Sequence, residues 1–302
     1  MGTNSTRLLV ADVVDGVVDP VHRESRVTGL GRGVETSGQL ATEAIENVYE
    51  AVGDYQAILT DLGAEETFAF ATSAARDASN SEAFLAELRE RFALQAKVIG
   101  GIEEAELTYR GARDGGYISG ETLVLDIGGG STELIVGSSA QPAFNTSLQL
   151  GVVRHTERHI HTDPPQTNEL ESLAEDVGDA IGSQLATHPG LRAERGVALA
   201  GTPAILAAID LGLDSVDYGR VEGHELELAT VQNLCSRLSS LPLEERREVR
   251  GVDPDRAPTI VAGVIILIKV MRAFALKKIA VSEHDILFGA AARAAERHAA
   301  TR

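Results

Sequence analysis

The stretch that most constrains this chain is Asp126-Ile127-Gly128-Gly129-Gly130-Ser131-Thr132-Glu133. An apolar run, residues 122–127, enters three consecutive glycines, and a second run, 132–136, leaves them. Glycines this dense cost conformational entropy, so they fit a sharp turn between strands with no Cβ to block close approach. Such a turn points several backbone N–H groups at one phosphate. Asp126 ends the incoming strand and Glu133 lies just past the turn. Both carboxylates can face one crevice, which suits a hydrated Mg²⁺ that also takes phosphate oxygens.

Four further segments carry chemistry, each with a plainer reading beside it. Gly2-Thr3-Asn4-Ser5 precedes the strand 8–14 and offers small hydroxyl and amide groups to phosphate oxygens, or is an ordinary chain end. Gly101-Ile102-Glu103-Glu104-Ala105 places carboxylates early on a helix. There they orient or deprotonate a water, or merely match the helix dipole in solvent. Ala71-Thr72-Ser73-Ala74-Ala75-Arg76 brings a strand end to an arginine, which binds an anion or sits on the surface. Leu199-Ala200-Gly201-Thr202 is a strand running into a glycine at a helix start, a natural phosphate contact.

The remaining pattern is mixed α/β. Asp15-Gly16 marks a hairpin between strands 8–14 and 17–27. Ile45, Val48, Val52, Tyr55, Leu59 and Leu62 draw an apolar stripe on a helix over 39–62. Strands are expected at 67–72, 97–99, 197–199 and 278–281, and a helix capped by Ser81 carries Phe84, Leu85, Leu88 and Phe92. Further helices are expected at 103–112, 166–188, 202–211, 227–240, 255–275 and 285–300. A glycine-rich loop over 114–120 divides the chain into two α/β domains, 1–117 and 118–302, each opening on strand, glycine turn, strand.

Composition narrows the function. Lys and Arg total 27 against 45 Asp and Glu, a net charge of −18 over 302 residues. Binding to duplex nucleic acid or to an anionic membrane needs a basic face, so neither is expected. A small anion in a local arginine pocket remains compatible. The single Cys235 excludes an internal disulfide and a multi-cysteine metal site and reads as a small core residue. No basic-then-apolar leader opens the sequence, and the apolar run 260–268 is too short to span a bilayer. A cytoplasmic protein is expected, with that run as core. The myristoylation-like start and the glycosylation-like Asn4-Ser5-Thr6 and Asn145-Thr146-Ser147 are short, common patterns with nothing to support them. No lysine stands in a P-loop, no Gly-x-Ser-x-Gly elbow occurs, and Gly29, Gly31 and Gly33 do not complete a dinucleotide fingerprint. His155 and His159 share a helical face beside Arg154, Arg158 and His161 and read as a polar helix surface. The run 244–250 reads as a solvated helix face.

Taken together and in order, GTNSTRLLVADV (2–13), ATSAARDASN (71–80), GIEEAELTYRGA (101–112), LVLDIGGGSTELIVG (123–137), LGVVRHTER (150–158), LAGTPAIL (199–206) and VSEHDILFGAA (281–291) resemble the exopolyphosphatase/guanosine-pentaphosphate phosphatase family. The resemblance spans nearly the whole chain. It implies the actin-like ATPase fold, with two RNase H-like α/β domains around a central cleft. It also implies Mg²⁺-dependent release of terminal orthophosphate from inorganic polyphosphate or guanosine pentaphosphate. The family's catalytic glutamate corresponds to Glu104 and its metal-linked acids to Asp126 and Glu133. Its phosphate-binding groups correspond to Gly2, Thr3, Asn4, Ser5, Arg76, Gly128, Gly129, Gly130, Ser131, Gly201 and Thr202. Arg26 and Arg256 fall near positions that some members use for larger anions. A homodimer is expected from the family alone. Members open with a strand and an Asp before the Gly-Thr-Asn-Ser turn. This sequence opens at the turn, so the first domain is expected to lack a central strand and the site one carboxylate. The length resembles the short two-domain type, expected to prefer short polyphosphate or to act on nucleotides. A non-catalytic sensor of guanosine tetra- or pentaphosphate is the alternative. A kinase or chaperone of the same fold is a third reading, against which the Glu-Glu-Ala segment speaks.

Overall fold

The structure is a computed structural model, and it describes residues 1–138 and 141–301. In chain order the first elements are β1 (Ser5–Val14), β2 (Val17–Val27), α1 (Val34–Ser37), α2 (Thr42–Asp61), β3 (Ala69–Ala71), α3 (Ser73–Asp77), α4 (Ser81–Phe92), β4 (Ala96–Val98) and α5 (Gly101–Asp114). They are followed by β5 (Thr122–Ile127), β6 (Thr132–Gly137), β7 (Phe144–Leu148), α6 (Val152–His159), α7 (Thr167–Ala186), β8 (Arg195–Leu199), α8 (Gly201–Asp210) and α9 (Tyr218–Val221). The last are β9 (Glu225–Glu227), α10 (Leu228–Ser240), α11 (Leu243–Arg247), α12 (Ile260–Ala273), β10 (Lys278–Val281) and α13 (Ile286–Thr301). The chain forms two compact units, residues 1–115 with 284–302, and residues 116–283.

The expected second domain, 118–302, therefore gives up its last segment: residues 284–302 belong to the first unit. Packing explains the return. α13 lies on α5 and β1. Gly289 and Gly111 let the two helices meet at backbone distance, since a Cβ would stand 2.0 Å from the Leu107 carbonyl oxygen in one case and 2.2 Å from that of Asp285 in the other. Ile286 and Ala290 join Phe70, Ile99 and Leu107 in one buried cluster.

In the first unit β1 and β2 form an antiparallel hairpin, and β3 and β4 form a separate parallel pair. Met1 bridges to β3: its amine donates to the Phe70 carbonyl at 2.8 Å, and its own carbonyl accepts from the Thr72 N–H at 3.2 Å. Burial lowers that amine to about 5. A groove of about 540 Å³ runs along β1, lined by Leu8, Val10, Leu59, Phe68, Leu287 and His298 among others. α2 buries Val48, Val52 and Tyr55 from its apolar stripe, while Leu62, just past its end, is exposed. Asn80, rather than Ser81, precedes α4. The Asn80 side chain instead clamps Leu40, accepting from its N–H at 2.8 Å and donating to its carbonyl at 3.0 Å.

The second unit is built on a six-stranded sheet in the order β7-β6-β5-β8-β10-β9. β5, β8 and β10 run parallel, and β6 and β7 extend the sheet antiparallel. β5 and β6 are buried along their whole length, which is why both read as near-continuous apolar runs. α12 is core, as expected: it is buried from Ile260 to Ile268 and packs on α6, α7, α8 and α10. Among the described residues no helix is long and apolar enough to cross a membrane. The run 244–250 is not wholly solvated. Arg246 is buried and donates to the carbonyls of Leu238 and Leu241, each at 2.8 Å, tying the end of α10 to α11.

Candidate active site

In the second unit the strands place the two candidate metal ligands side by side. Asp126 and Glu133 are direct cross-strand partners in the β5–β6 ladder, and both are buried. Residues opposite one another on antiparallel strands share a sheet face, so the two carboxylates present together. The next strand continues the row: Ser147 stands opposite Glu133, and its hydroxyl donates to Glu133 Oε1 at 2.7 Å. Buried charged groups are as a rule paired, hydrogen-bonded or bound to a metal. An all-oxygen pair of this kind fits a hard divalent ion such as Mg²⁺.

The turn Gly128–Ser131 closes on itself through Gly128 N–H to the Ser131 carbonyl, 2.9 Å. Its other carbonyls are taken by the start of α6. Val152 N–H donates to the Gly128 carbonyl at 3.0 Å and Val153 N–H to that of Gly129 at 2.9 Å. Arg154 Nε donates to the Gly130 carbonyl at 3.0 Å. With its carbonyls so engaged, the turn offers an anion its N–H groups. Gly151 makes this docking possible, because a Cβ there would lie 2.3 Å from the Gly129 carbonyl oxygen and 2.4 Å from Gly130 Cα. Gly151→Ala must therefore displace the turn or α6. The expected outcome is a fall in kcat/KM of roughly tenfold or more, as for a misplacement of about 1 Å, together with a lower Tm. Wild-type phosphate release from Gly151→Ala would show that the turn does not hold substrate.

Gly201 and Thr202 open α8. The residue before them, Ala200, takes φ 72° and ψ −167°, a region of backbone nearly confined to glycine. Arg256 lies over this helix start: a Cβ on Gly201 would stand 2.0 Å from its Nη1. Arg256 also pairs with Asp253, Nε to Oδ2 3.4 Å. The structure thus joins Arg256 to Gly201 and Thr202 in one anion-suited corner.

In the first unit, α5 resolves the two adjacent glutamates. Glu103 is held by Lys97 Nζ and Arg293 Nη1, each 2.7 Å from its Oε1. Glu104 is buried, with Arg76 Nη1 3.3 Å from its Oε2. Burial raises its pKa above the ordinary glutamate value, and Arg76, with a hydrogen bond involving Thr72, pulls the other way. A buried carboxylate tuned upward and aligned by an arginine is the form a general base takes. Arg76 Nη1 is positioned in turn by the Ile99 carbonyl at 3.0 Å.

The other predicted residues of this unit are placed as follows. Gly2 N–H donates to the Ser5 carbonyl at 2.9 Å, the same closure as in the second turn. The carbonyls of Thr3 and Asn4 accept from Gly31 and Gly29 N–H at 2.8 and 2.9 Å. The Thr3 hydroxyl accepts from the N–H of Ala74 at 3.2 Å, fastening this turn to α3. Ser5 is buried. Arg26 lies on exposed β2, paired with Asp54 at 2.7 Å.

One residue with a strong role was not among the candidate site residues. Asp285 is buried before α13 and is gripped by Arg7 Nη1 and by Arg23 Nη2, the latter at 3.1 Å. Its Oδ1 also accepts from the N–H of Leu287 at 2.9 Å. Asp285 stands inside VSEHDILFGAA (281–291), a segment that carries the family resemblance, and an Asp just before an apolar run is a helix-cap signal; neither trace foretells its two arginines.

The model of the Ppx/GppA phosphatase family matches residues 9–293. Exopolyphosphatase 2 of Mycobacterium tuberculosis is 36% identical over 304 residues, covering 96% of this chain and 95% of that protein. The crystal structure of an exopolyphosphatase-like protein superposes with a TM-score of 0.92 at 30% identity, covering 99% of this chain and 96% of the other. The crystal structure of the Aquifex aeolicus Ppx/GppA family member gives 0.83 at 28% identity, with coverage of 99% and 96%. The chain belongs to the Ppx/GppA phosphatase family. Its fold is the one that the resemblance implied, the α/β actin-like ATPase fold of those solved members.

Proposed function

We propose that this protein is a Mg²⁺-dependent exopolyphosphatase that releases terminal orthophosphate from short inorganic polyphosphate, with guanosine pentaphosphate as a second substrate. The observation that carries the reading is the buried cross-strand pair Asp126–Glu133 set at the mouth of a glycine turn. Curated relatives bearing the name exopolyphosphatase support polyphosphate as the substrate class.

Asp126 and Glu133 would hold the ion. When bound, it neutralises charge on the transferred phosphoryl group and the leaving phosphate. The N–H groups of Gly129, Gly130 and Ser131 cradle a phosphate, and those of Gly201 and Thr202, with Arg256, cradle another. Arg76 and the Gly2–Ser5 turn supply the first unit's anion contacts. Glu104 takes the proton of the attacking water, its raised pKa matching that task. The reaction asks mainly for positioning and charge stabilisation, which backbone N–H groups and arginines provide.

The test is phosphate release from short-chain polyphosphate and from guanosine pentaphosphate, with Mg²⁺ and with a chelator. Release from polyphosphate that stops on chelation is expected. Binding of either substrate without phosphate release would overturn the reading in favour of a non-catalytic binder.

A further inference from the structure

α6 and α7 bring together a cluster that the phosphatase reading does not use. His155 and His159, one turn apart on α6, and Asp176 on α7 each offer one donor atom, and the three atoms lie within 4.8 Å of one another. His159 Nε2 is 2.9 Å and His155 Nε2 3.6 Å from Asp176 Oδ2. Ligands bound tetrahedrally at about 2.0–2.1 Å stand roughly 3.3 Å apart, a spacing these two distances bracket.

The outer contacts point the same way. A histidine that ligates through one ring nitrogen usually hands the other to a carbonyl, carboxylate or similar partner, which fixes the tautomer. His155 Nδ1 lies 3.2 Å from the Gly151 carbonyl, and His159 Nδ1 lies 3.1 Å from Ser172 Oγ. The Gly151 N–H is also near His155 Nδ1, at 3.3 Å, but the tautomer that accepts it would aim an Nε2–H at an oxygen 3.6 Å away. The decisive atom is His155 Nε2. The side chain is fully buried, and this nitrogen is without a hydrogen-bond partner. A plain surface network of His159, Arg158 and Asp176 leaves that buried nitrogen unsatisfied, whereas an ion between the three donors satisfies it.

We propose that His155, His159 and Asp176 form a zinc site that fastens α6 to α7. Two imidazoles and a carboxylate suit Zn²⁺, with water as the fourth ligand from the open side, where Asp176 is about a third exposed. Arg158 Nη1, 3.0 Å from Asp176 Oδ2, must swing aside, and as an exposed ion pair it opposes this weakly. The site has a structural consequence for the glycine turn. The same helix that carries both histidines begins with the N–H groups that hold the Gly128 and Gly129 carbonyls. Zinc would stiffen the support of that turn without touching substrate.

The experiment uses the full chain, stripped of metal by a chelator and titrated with Zn²⁺ against a chromophoric competitor, with Co²⁺ as a spectroscopic probe. The expected result is one tight site per chain, a tetrahedral Co²⁺ visible band, and a rise in Tm with excess Zn²⁺. His159→Gln and Asp176→Asn, both at partly exposed positions, each remove a ligand and should weaken Zn²⁺ binding by more than the roughly ten- to hundredfold that loss of an outer partner costs, and abolish the Tm rise while folding normally without metal. Asp126→Asn should leave the Zn²⁺ affinity unchanged. No saturable Zn²⁺ binding would overturn the proposal. So would binding that survives both α6–α7 variants, or binding lost only with Asp126→Asn.

Discussion

Glu104→Gln is expected to lower kcat for phosphate release by about 10²–10⁴-fold, with KM changing far less. The amide keeps the size of the side chain and still offers an oxygen to Arg76, so the local packing and the Arg76 position survive. What is lost is the basicity of the carboxylate, since a neutral amide oxygen accepts a hydrogen bond but does not take a proton from water. The neighbouring Glu103→Gln supplies the control. Its carboxylate is already committed to Lys97 and Arg293, so turnover should stay within about threefold of wild type, the usual context spread for a group outside the chemistry. The pH profile adds a second readout. Burial raises the Glu104 pKa, and Arg76 only partly offsets it, so the acid limb of kcat/KM should lie above the ordinary glutamate range. Wild-type turnover in Glu104→Gln, or equal losses in the two glutamine variants, would remove Glu104 from the role of base.

The sequence exposed the parts of the molecule whose chemistry is local. The strand, glycine turn and strand over 122–136 could be read because glycine density and apolar runs speak within a few residues, and the facing of Asp126 and Glu133 follows from a tight turn between paired strands. The α12 core helix was legible for the same reason. What the sequence hid depends on contacts between distant segments. The family resemblance singles out Glu104, but composition and spacing do not separate it from Glu103; the partners at Lys97, Arg293 and Arg76 supply the physical difference. Arg256 reaches Gly201 across more than fifty residues. His155 and His159 looked like a polar helix face because their third partner, Asp176, belongs to another helix. β7 was missed because its Phe-Asn-Thr-Ser-Leu is a half-buried edge strand with weak alternation. The return of residues 284–302 to the first unit is likewise invisible along the chain, since it rests on glycine-mediated helix contact and on Asp285 meeting two arginines from β1 and β2.

Asp285→Ala should be among the most destabilising single substitutions in the first unit, by about 3–5 kcal/mol, the usual loss when one partner of a buried ion pair is removed. Asp285 is nearly inaccessible, and its carboxylate meets Arg7 and Arg23 while accepting the Leu287 N–H that opens α13. Removing it takes one buried carboxylate from both arginines and the cap from the start of α13. Burial alone would raise this carboxyl's pKa, but the two arginines outweigh burial and hold it below the ordinary aspartate value. A depressed folded-state pKa fixes the sign of the pH dependence. The stabilisation is fully present above the unfolded aspartate value of about 3.9 and is lost as pH falls through the lower folded value. Acid should therefore loosen α13 from the first unit in wild type, and Asp285→Ala should show that loosened state already at pH 7. Two units make a single global unfolding curve ambiguous, so the measurement is amide hydrogen exchange over 284–300, read against exchange in α12. Faster exchange confined to α13 and its neighbours β1 and β2 is expected. The double variant Arg7→Ala/Asp285→Ala should lose less than the sum of the single losses, because the Arg7–Asp285 contact is counted in both of them. Unchanged protection of α13 in Asp285→Ala, at pH 7 and on acidification, would show that apolar packing on α5 alone returns the chain end to the first unit.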